Sequence, residues 1–316
     1  MWKYTGIKKC NEFLLSLRLF DCKNDKKYIQ TLYSLSNQME KNYKIYKIKK
    51  NNGGYRTIYE PNSLLKHVQK QILKNILNQK AISSYAKAYH QGFSLKDNAI
   101  PHQNKKQILK LDIKDFFESI TFWDIYQNCF PIAYFPEPVG MLLTYLCTYD
   151  DHLTQGSPTS SYISNLVLKD FDESVGAWCK EKNISYTRYS DDMTFSGDFS
   201  VKEVIAYVRK LLHSLHLRLN DQKTHVVSQS SSQQVTGLVV NEKVQVSSHY
   251  RRQIRQEIYY IQKYGLKSHL TKQGNCPNPK RYLDQLYGKI LYVLQINPND
   301  SKFISYRELI RHLKRQ

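Results

Sequence analysis

Acidic side chains are scarce in this 316-residue chain: 27 Asp and Glu stand against 47 Lys and Arg, a formal charge of +20. That excess goes beyond what solubility requires and implies a polyanionic partner, most often nucleic acid. The basic residues run along the whole chain, which fits a long groove or several surfaces better than one basic tail. Paired cysteines are also lacking. The six cysteines, at 10, 22, 129, 147, 179 and 276, form no CxxC and no Cys/His zinc spacing. They read as reduced thiols and imply a cytoplasmic protein. No apolar run is long enough to span a bilayer; the longest lies around Val139 to Cys147. Arg18 interrupts Phe13-Leu14-Leu15, which argues against a signal peptide. No membrane partner is therefore expected, and neither an internal repeat nor a low-complexity linker is present.

What is there is globular. Hydrophobic residues make up 41% and charged residues 23% of a length that suits about two domains. Tyr is abundant at 25. Tyr stacks on bases and donates to phosphate, so Tyr mixed with Lys and Arg suits single-stranded or structured RNA. An AT-biased genome would raise the same count.

The periodicity places short amphipathic helices at 12–20 and 28–39. Tyr43 to Lys49 alternates as a strand, Asn51-Asn52-Gly53-Gly54 turns it, and Tyr55 to Tyr59 returns, with Pro61 ending it. This hairpin carries Lys44, Lys47, Lys49, Lys50 and Arg56, and reads either as a lid over phosphates or as a solvated basic face. Helical spacing covers 64–78, 159–175 and 201–215. Ile108 to Ile113 reads as a buried strand, and Asp115 to Ser119 as the start of a helix after it. Two short strands are expected within 235–246. From Ser248 onward the chain is helical and basic, with a loop at Asn275-Cys276-Pro277-Asn278-Pro279.

Chemistry concentrates in Tyr189-Ser190-Asp191-Asp192. Ile184 to Arg188 and Met193 to Ser196 read as strands, so the two carboxylates sit at the tip of a hairpin. Adjacent like charges repel, and a divalent cation such as Mg²⁺ removes the conflict. Asp-Asp is also an ordinary turn sequence. Asp112 adds a third carboxylate at the end of a buried strand, where charge is costly unless paired or bound to metal. Its ordinary role there is to cap the following helix. A strand-end Asp with a hairpin Asp pair is the carboxylate set of a two-metal nucleotidyl transferase.

Leu111-Asp112-Ile113-Lys114-Asp115-Phe116-Phe117, then Gln155-Gly156-Ser157-Pro158, then Tyr189-Ser190-Asp191-Asp192 resemble reverse transcriptases in order and spacing, over about residues 43 to 270. Asn98-Ala99-Ile100-Pro101-His102 and Val235-Thr236-Gly237 resemble two elements of the retron subfamily. Ser190 stands where that subfamily usually has Ala, and His216 where a Gly is common.

The resemblance implies an α+β right-hand polymerase fold. Residues 1–104 would form an N-terminal extension and fingers, 105–240 a palm with a finger insert near 130–155, and 241–316 a small helical thumb. Asp112, Asp191, Asp192 and the Ile113 backbone would hold two Mg²⁺, with Mn²⁺ able to substitute. Arg56, Asp115, Phe116, Phe117 and Gln155 would bind the incoming dNTP. Phe117 would exclude a ribose 2′-OH, and Arg56 would pair with triphosphate oxygens. Lys223 would protonate the pyrophosphate leaving group. Asn98, Ala99, His102, Val235, Thr236 and Gly237 would recognise RNA; Arg251, Arg252 and Arg255 would grip the duplex through phosphates.

The implied activity is RNA-directed DNA synthesis on a dedicated non-coding RNA, primed from a guanosine 2′-OH. Its product would be branched RNA-linked DNA, serving anti-phage defence with a separate effector protein. Two alternatives stay open: another bacterial reverse transcriptase (group II intron-like or abortive-infection), or a non-catalytic RNA-binding scaffold. The short span after the thumb disfavours the intron type, and Phe117 disfavours an RNA-synthesising polymerase.

Overall fold

A computed structural model describes residues 6–50, 53–89, 92–272 and 278–315. In the hairpin turn Asn51 and Asn52 lie outside the described residues, as do residues 275–277 of the expected C-terminal loop. In chain order the elements begin with α1 (Ile7–Ser16), α2 (Asp25–Asn37) and α3 (Met39–Asn42). The hairpin β1 (Tyr43–Lys49) and β2 (Tyr55–Pro61), then α4 (Ser63–Asn75) and α5 (Leu95–Ala99), follow. The middle of the chain holds β3 (Gln107–Asp112), α6 (Phe122–Cys129), α7 (Glu137–Tyr145), β4 (Thr148–Tyr149), β5 (His152–Leu153), α8 (Ser160–Val167) and α9 (Lys169–Glu181). Next come β6 (Ser185–Tyr189), β7 (Asp192–Gly197), α10 (Val201–Ser214), β8 (His225–Ser228), β9 (Gln234–Val235), β10 (Leu238–Val239) and β11 (Gln245–Val246). The helices α11 (Ser248–Tyr264), α12 (Leu266–Lys272), α13 (Pro279–Ile296) and α14 (Ser301–Arg315) complete it.

The chain divides into two compact units, one containing residues up to 93 together with 109–226, the other 94–108 together with 227–316. In the first, a sheet ordered β6-β7-β3-β8 carries the buried apolar residues Leu109, Leu111, Met193 and Phe195. Helices α8, α9 and α10 contribute Ile163, Val175 and Leu212 to the same core. Removing such area from water is the main stabilising term. The β1–β2 hairpin is antiparallel with Lys49 opposite Tyr55, as the alternation predicts.

The second unit is helical around a three-stranded sheet ordered β11-β10-β9. Ala99 and Ile108 share its core with Val235, Leu238, Ile254, Leu286 and Ile290. That shared burial sets the division of the chain at 93/94, 108/109 and 226/227, whereas the sequence motifs suggested 104/105 and 240/241.

Four local expectations differ from what forms. The helix expected over 12–20 lies instead at Ile7–Ser16. The helix expected over 159–175 breaks at Leu168, whose φ −90° and ψ 8° separate α8 from α9. Residues 114–119 form turns, and helix α6 starts only at Phe122, with Thr121 as its cap. Three strands, where two were expected, occupy 234–246. Cys129, Cys147 and Cys179 are buried, and burial pushes the thiols of Cys147 and Cys179 up to about 12, which suits inert reduced cysteines. Among the described residues no helix is long and apolar enough to cross a membrane.

Candidate active site

The antiparallel pair β6–β7 closes on a tight turn with Tyr189 opposite Asp192. Ser190 at its tip has φ +61° and is buried. A non-glycine residue in that region is uncommon and persists only where its surroundings hold it. Those surroundings are specific. Arg188 is fully buried, and its guanidinium grips the equally buried Asp172 of α9 by two bonds, Nε to Oδ1 at 2.8 Å and Nη2 to Oδ2 at 2.6 Å. Its third arm, Nη1, donates to the Ser190 carbonyl at 2.9 Å. Tyr186 Oη donates to Asp172 Oδ1 at 2.8 Å. From the other side Tyr89, itself at φ +59°, donates its hydroxyl to Ser190 Oγ at 3.3 Å.

The neighbouring strand supplies the third carboxylate. Asp112 ends β3 and is 4% exposed. The Ile113 N–H donates to the Asp191 carbonyl at 3.1 Å, so the end of β3 and the acidic turn are stitched together by backbone. The Asn220 N–H donates to the Asp112 carbonyl at 2.8 Å and brings the next segment alongside. On that segment Lys223 reaches back, its Nζ 2.7 Å from Asp112 Oδ2.

Electrostatics follow from this crowding. Burial, then the Asp112 charge, raises the Asp191 carboxyl. Asp192 is exposed at the mouth of the site, yet the protein around it and the charges of Asp191 and Asp112 push it up to about 6. The hydrogen bond to Asp112, with the surrounding carboxylates, raises Lys223 despite opposing desolvation, so it stays protonated. Three crowded carboxylates outnumber the two lysines, Lys223 and Lys110, whose charges act on Asp192. As hard oxygen donors they fit divalent cations such as Mg²⁺. Among the described residues, no three His, Cys, Asp or Glu side chains already converge as a cation cage.

The other expected site residues differ in exposure and in partners. Asp115 has φ +46° and is exposed, Phe116 is buried, and Phe117 is half-buried with its ring 5.2 Å from that of Phe116. Of the Phe pair, Phe116 serves the core and Phe117 faces partly outward. Gln155 is half-buried, and its carbonyl accepts the Tyr59 N–H at 2.8 Å. Gly156 has φ +123°, and a Cβ there would lie 2.5 Å from the Tyr59 carbonyl oxygen. The glycine therefore lets this turn pack against β2. Ser157 anchors it from within, 3.0 Å from Tyr43 Oη and 2.8 Å from Thr154 Oγ1. Arg56 is exposed on β2 opposite Ile48, where a phosphate can reach it.

Two expectations in the second unit change. Asn98, Ala99, His102 and Val235 are buried, so direct RNA contact by their side chains does not fit; Thr236 is half-buried and Gly237 exposed. The two short elements meet instead: Asn98 Nδ2 donates to Thr236 Oγ1 at 3.4 Å. Thr236 and Gly237 have φ +46° and +80°, so this contact braces a strained turn. Arg251 is committed to Asp300, Nη2 to Oδ2 at 2.5 Å, and to Gln245, and ties α11 to the start of α14. Arg252 is exposed and Arg255 half-buried.

Sequence reasoning missed Arg188, Asp172, Tyr186 and Tyr89. A signal for two of them exists. Asp172 lies on the apolar face of α9 with Phe171, Val175 and Cys179, and Arg188 lies mid-strand among buried residues. Charges at core positions require partners.

Residues 48–240 match the family described as Reverse transcriptase (RNA-dependent DNA polymerase). The chain is 31% identical over 239 residues to the retron Ec86 reverse transcriptase of Escherichia coli, covering 74% of each. It is 30% identical to the retron Ec83 reverse transcriptase of the same organism, over 81% of this chain and 83% of that one. Among solved structures it is similar to telomerase from Candida albicans in complex with a fragment of telomeric RNA, at 12% identity and a TM-score of 0.46, covering 90% of this chain and 68% of that one. An acidic turn stitched to a strand-end aspartate, inside a family match of this extent, makes the chain a member of the reverse transcriptases, of the retron type: an RNA-directed DNA polymerase with a right-hand α+β fold.

Proposed function

We propose that this polymerase copies a structured non-coding RNA into DNA by nucleotidyl transfer at Asp112, Asp191 and Asp192, with the RNA as both template and primer. The observation that carries the site is the backbone bond from Ile113 N–H to the Asp191 carbonyl, which joins the strand end that bears Asp112 to the turn that bears Asp191 and Asp192. These carboxylates and the Ile113 carbonyl would hold two Mg²⁺, or Mn²⁺ in their place. Bound there, the ions would neutralise the carboxylates and acidify the attacking hydroxyl.

The protein's own groups divide the remaining work. Arg188, through Ser190, keeps the acidic turn from relaxing. Phe117 limits the space beside the sugar and excludes a 2′-OH. Gln155 and the backbone from Ile113 to Phe116 lie along the incoming dNTP, and Arg56 pairs with its phosphates. Lys223 is protonated and bonded to Asp112, which supports the reading that it gives a proton to the pyrophosphate leaving group.

The retron relationship supports the finer reading: priming from a guanosine 2′-OH, a branched RNA-linked DNA product, and a role in anti-phage defence with an effector protein. Expression with its flanking DNA tests it. Nucleic acid purified with the protein should contain DNA whose 5′ end is freed only by a debranching nuclease specific for 2′,5′ linkages. DNA with an ordinary free 5′ end would overturn the branched-product reading.

A further inference from the structure

Within the second unit, one face of α11 together with α12 and α13 lines a cavity of about 600 Å³. Gln256, Glu257, Tyr260 and Tyr264 come from α11, His269 from α12 and Lys289 from α13. The α11 residues recur at helical spacing, so their side chains stand along one side of the cavity.

Its inner wall is hydrogen-bonded. His269 is 7% exposed, with Nε2 2.7 Å from Glu257 Oε2 and 3.0 Å from Tyr282 Oη. Tyr282 also donates to Glu257. The Tyr260 ring stacks on His269 with centroids 5.7 Å apart and planes 19° apart. Tyr264 extends the stack at 6.1 Å and 27°, and remains 43% exposed. The outer rim is polar and solvated, with Gln256 and Lys289 both exposed.

Flat rings arranged in advance, a side-chain amide that both donates and accepts, and a cation at the rim are the features that receive a splayed-out base and its phosphate. The volume lies within the range of about 300–1,000 Å³ usual for small-ligand sites. The chain's charge of +20 favours a nucleic-acid partner for the protein as a whole.

We propose that this cavity takes one unstacked nucleobase of a nucleic-acid strand. The base would lie against the Tyr264–Tyr260–His269 stack, with its edge met by Gln256 and its phosphate by Lys289. The inference rests on the chain's role in copying RNA and adds a site at which one nucleotide of the strand is held. Base–aromatic stacking of this kind corresponds to about tenfold in affinity for one ring removed.

The test is photocross-linking of the full chain. Two pools of stem-loops with randomised loops are used, an RNA pool carrying 4-thiouridine and a DNA pool carrying 4-thiothymidine. Cross-linked peptides are mapped by mass spectrometry. The expected result is a cross-link on the α11 peptide containing Tyr260 and Tyr264, weakened about tenfold in Tyr264→Ala. The Tyr264→Phe variant, which keeps the ring, should cross-link like the parent protein. The pool that labels this peptide more strongly identifies the strand. Cross-links confined to other peptides, or unchanged in a folded Tyr264→Ala, would overturn the proposal. Incorporation of dNTPs on poly(rA)·oligo(dT) is read in parallel. Incorporation without labelling of this peptide rejects the cavity and leaves the polymerase reading intact. Labelling without incorporation supports the cavity and rejects the polymerase reading.

Discussion

Arg188 and Asp172 form a fully buried, two-pronged ion pair directly beneath the acidic turn, and the arm of Arg188 left over holds the Ser190 carbonyl. A buried pair is seldom a net gain over apolar side chains, yet removing one partner strands a charge in the core. Arg188→Met should therefore destabilise the protein by about 3–5 kcal/mol. Urea unfolding measures this. Arg188→Met with Asp172→Leu should regain much of the stability, because no lone charge remains. It should not regain the rate of dNTP incorporation, since Ser190 has lost its donor. A double variant with parental activity would show that the pair serves stability alone.

Gly156 provides a second test of placement. With φ +123° and the Tyr59 carbonyl 2.5 Å from where a Cβ would stand, an added methyl group meets both backbone strain and a clash. Gly156→Ala should cost at least about 2 kcal/mol in unfolding free energy. Limited proteolysis should then cut first in the β1–β2 hairpin, which that turn supports through the Tyr59 N–H.

His102 makes stability depend on pH. Burial, then the nearby Lys105 charge, lowers its pKa from 6.5 to about 3, so the folded protein holds it neutral. Below pH 6.5 the unfolded chain takes up a proton that the folded chain refuses. Stability from this group is thus complete above pH 6.5 and is lost progressively as pH falls toward 3. Between pH 7.5 and 5.0 the loss should be about 2 kcal/mol. His102→Asn should unfold more easily at neutral pH and lack that part of the pH dependence. Parallel denaturation curves at the two pH values make the comparison.

Lys223 is bonded to Asp112 Oδ2 at 2.7 Å. Lys223→Met removes its charge and leaves three carboxylates repelling one another. Divalent ions should then stabilise this variant more than they stabilise the parent protein. The measurement is the rise in Tm on adding Mg²⁺ or Mn²⁺, with Ca²⁺ as a further hard cation. An equal rise in both proteins would place metal binding elsewhere.

How far the sequence could be read depends on how local each feature is. The hairpin around Asp191 and Asp192 and the basic hairpin at 43–61 follow from alternation and turn residues, both local. The break at Leu168 was hidden because no glycine or proline marks it and the apolar spacing runs straight through. Strand β8, His225 to Ser228, is too short and polar to announce itself; the sheet recruits it. Asn98 and Thr236 lie 138 residues apart, and nothing in either element tells that they pack together. Burial of the first element is a tertiary property that its five residues do not announce. Arg188 and Asp172, 16 residues apart, were readable as charges at core positions. Their pairing was not, because it depends on how α9 crosses the sheet.

Primer extension with Asp191→Asn combined with Asp192→Asn tests the central claim most directly. Both side chains keep their shape and lose their charge. Incorporation of dNTPs on an RNA template should fall below detection, while RNA binding in a filter assay and the Tm stay close to those of the parent protein. A folded double variant that still extends the primer at the parental rate would contradict the assignment of catalysis to this turn.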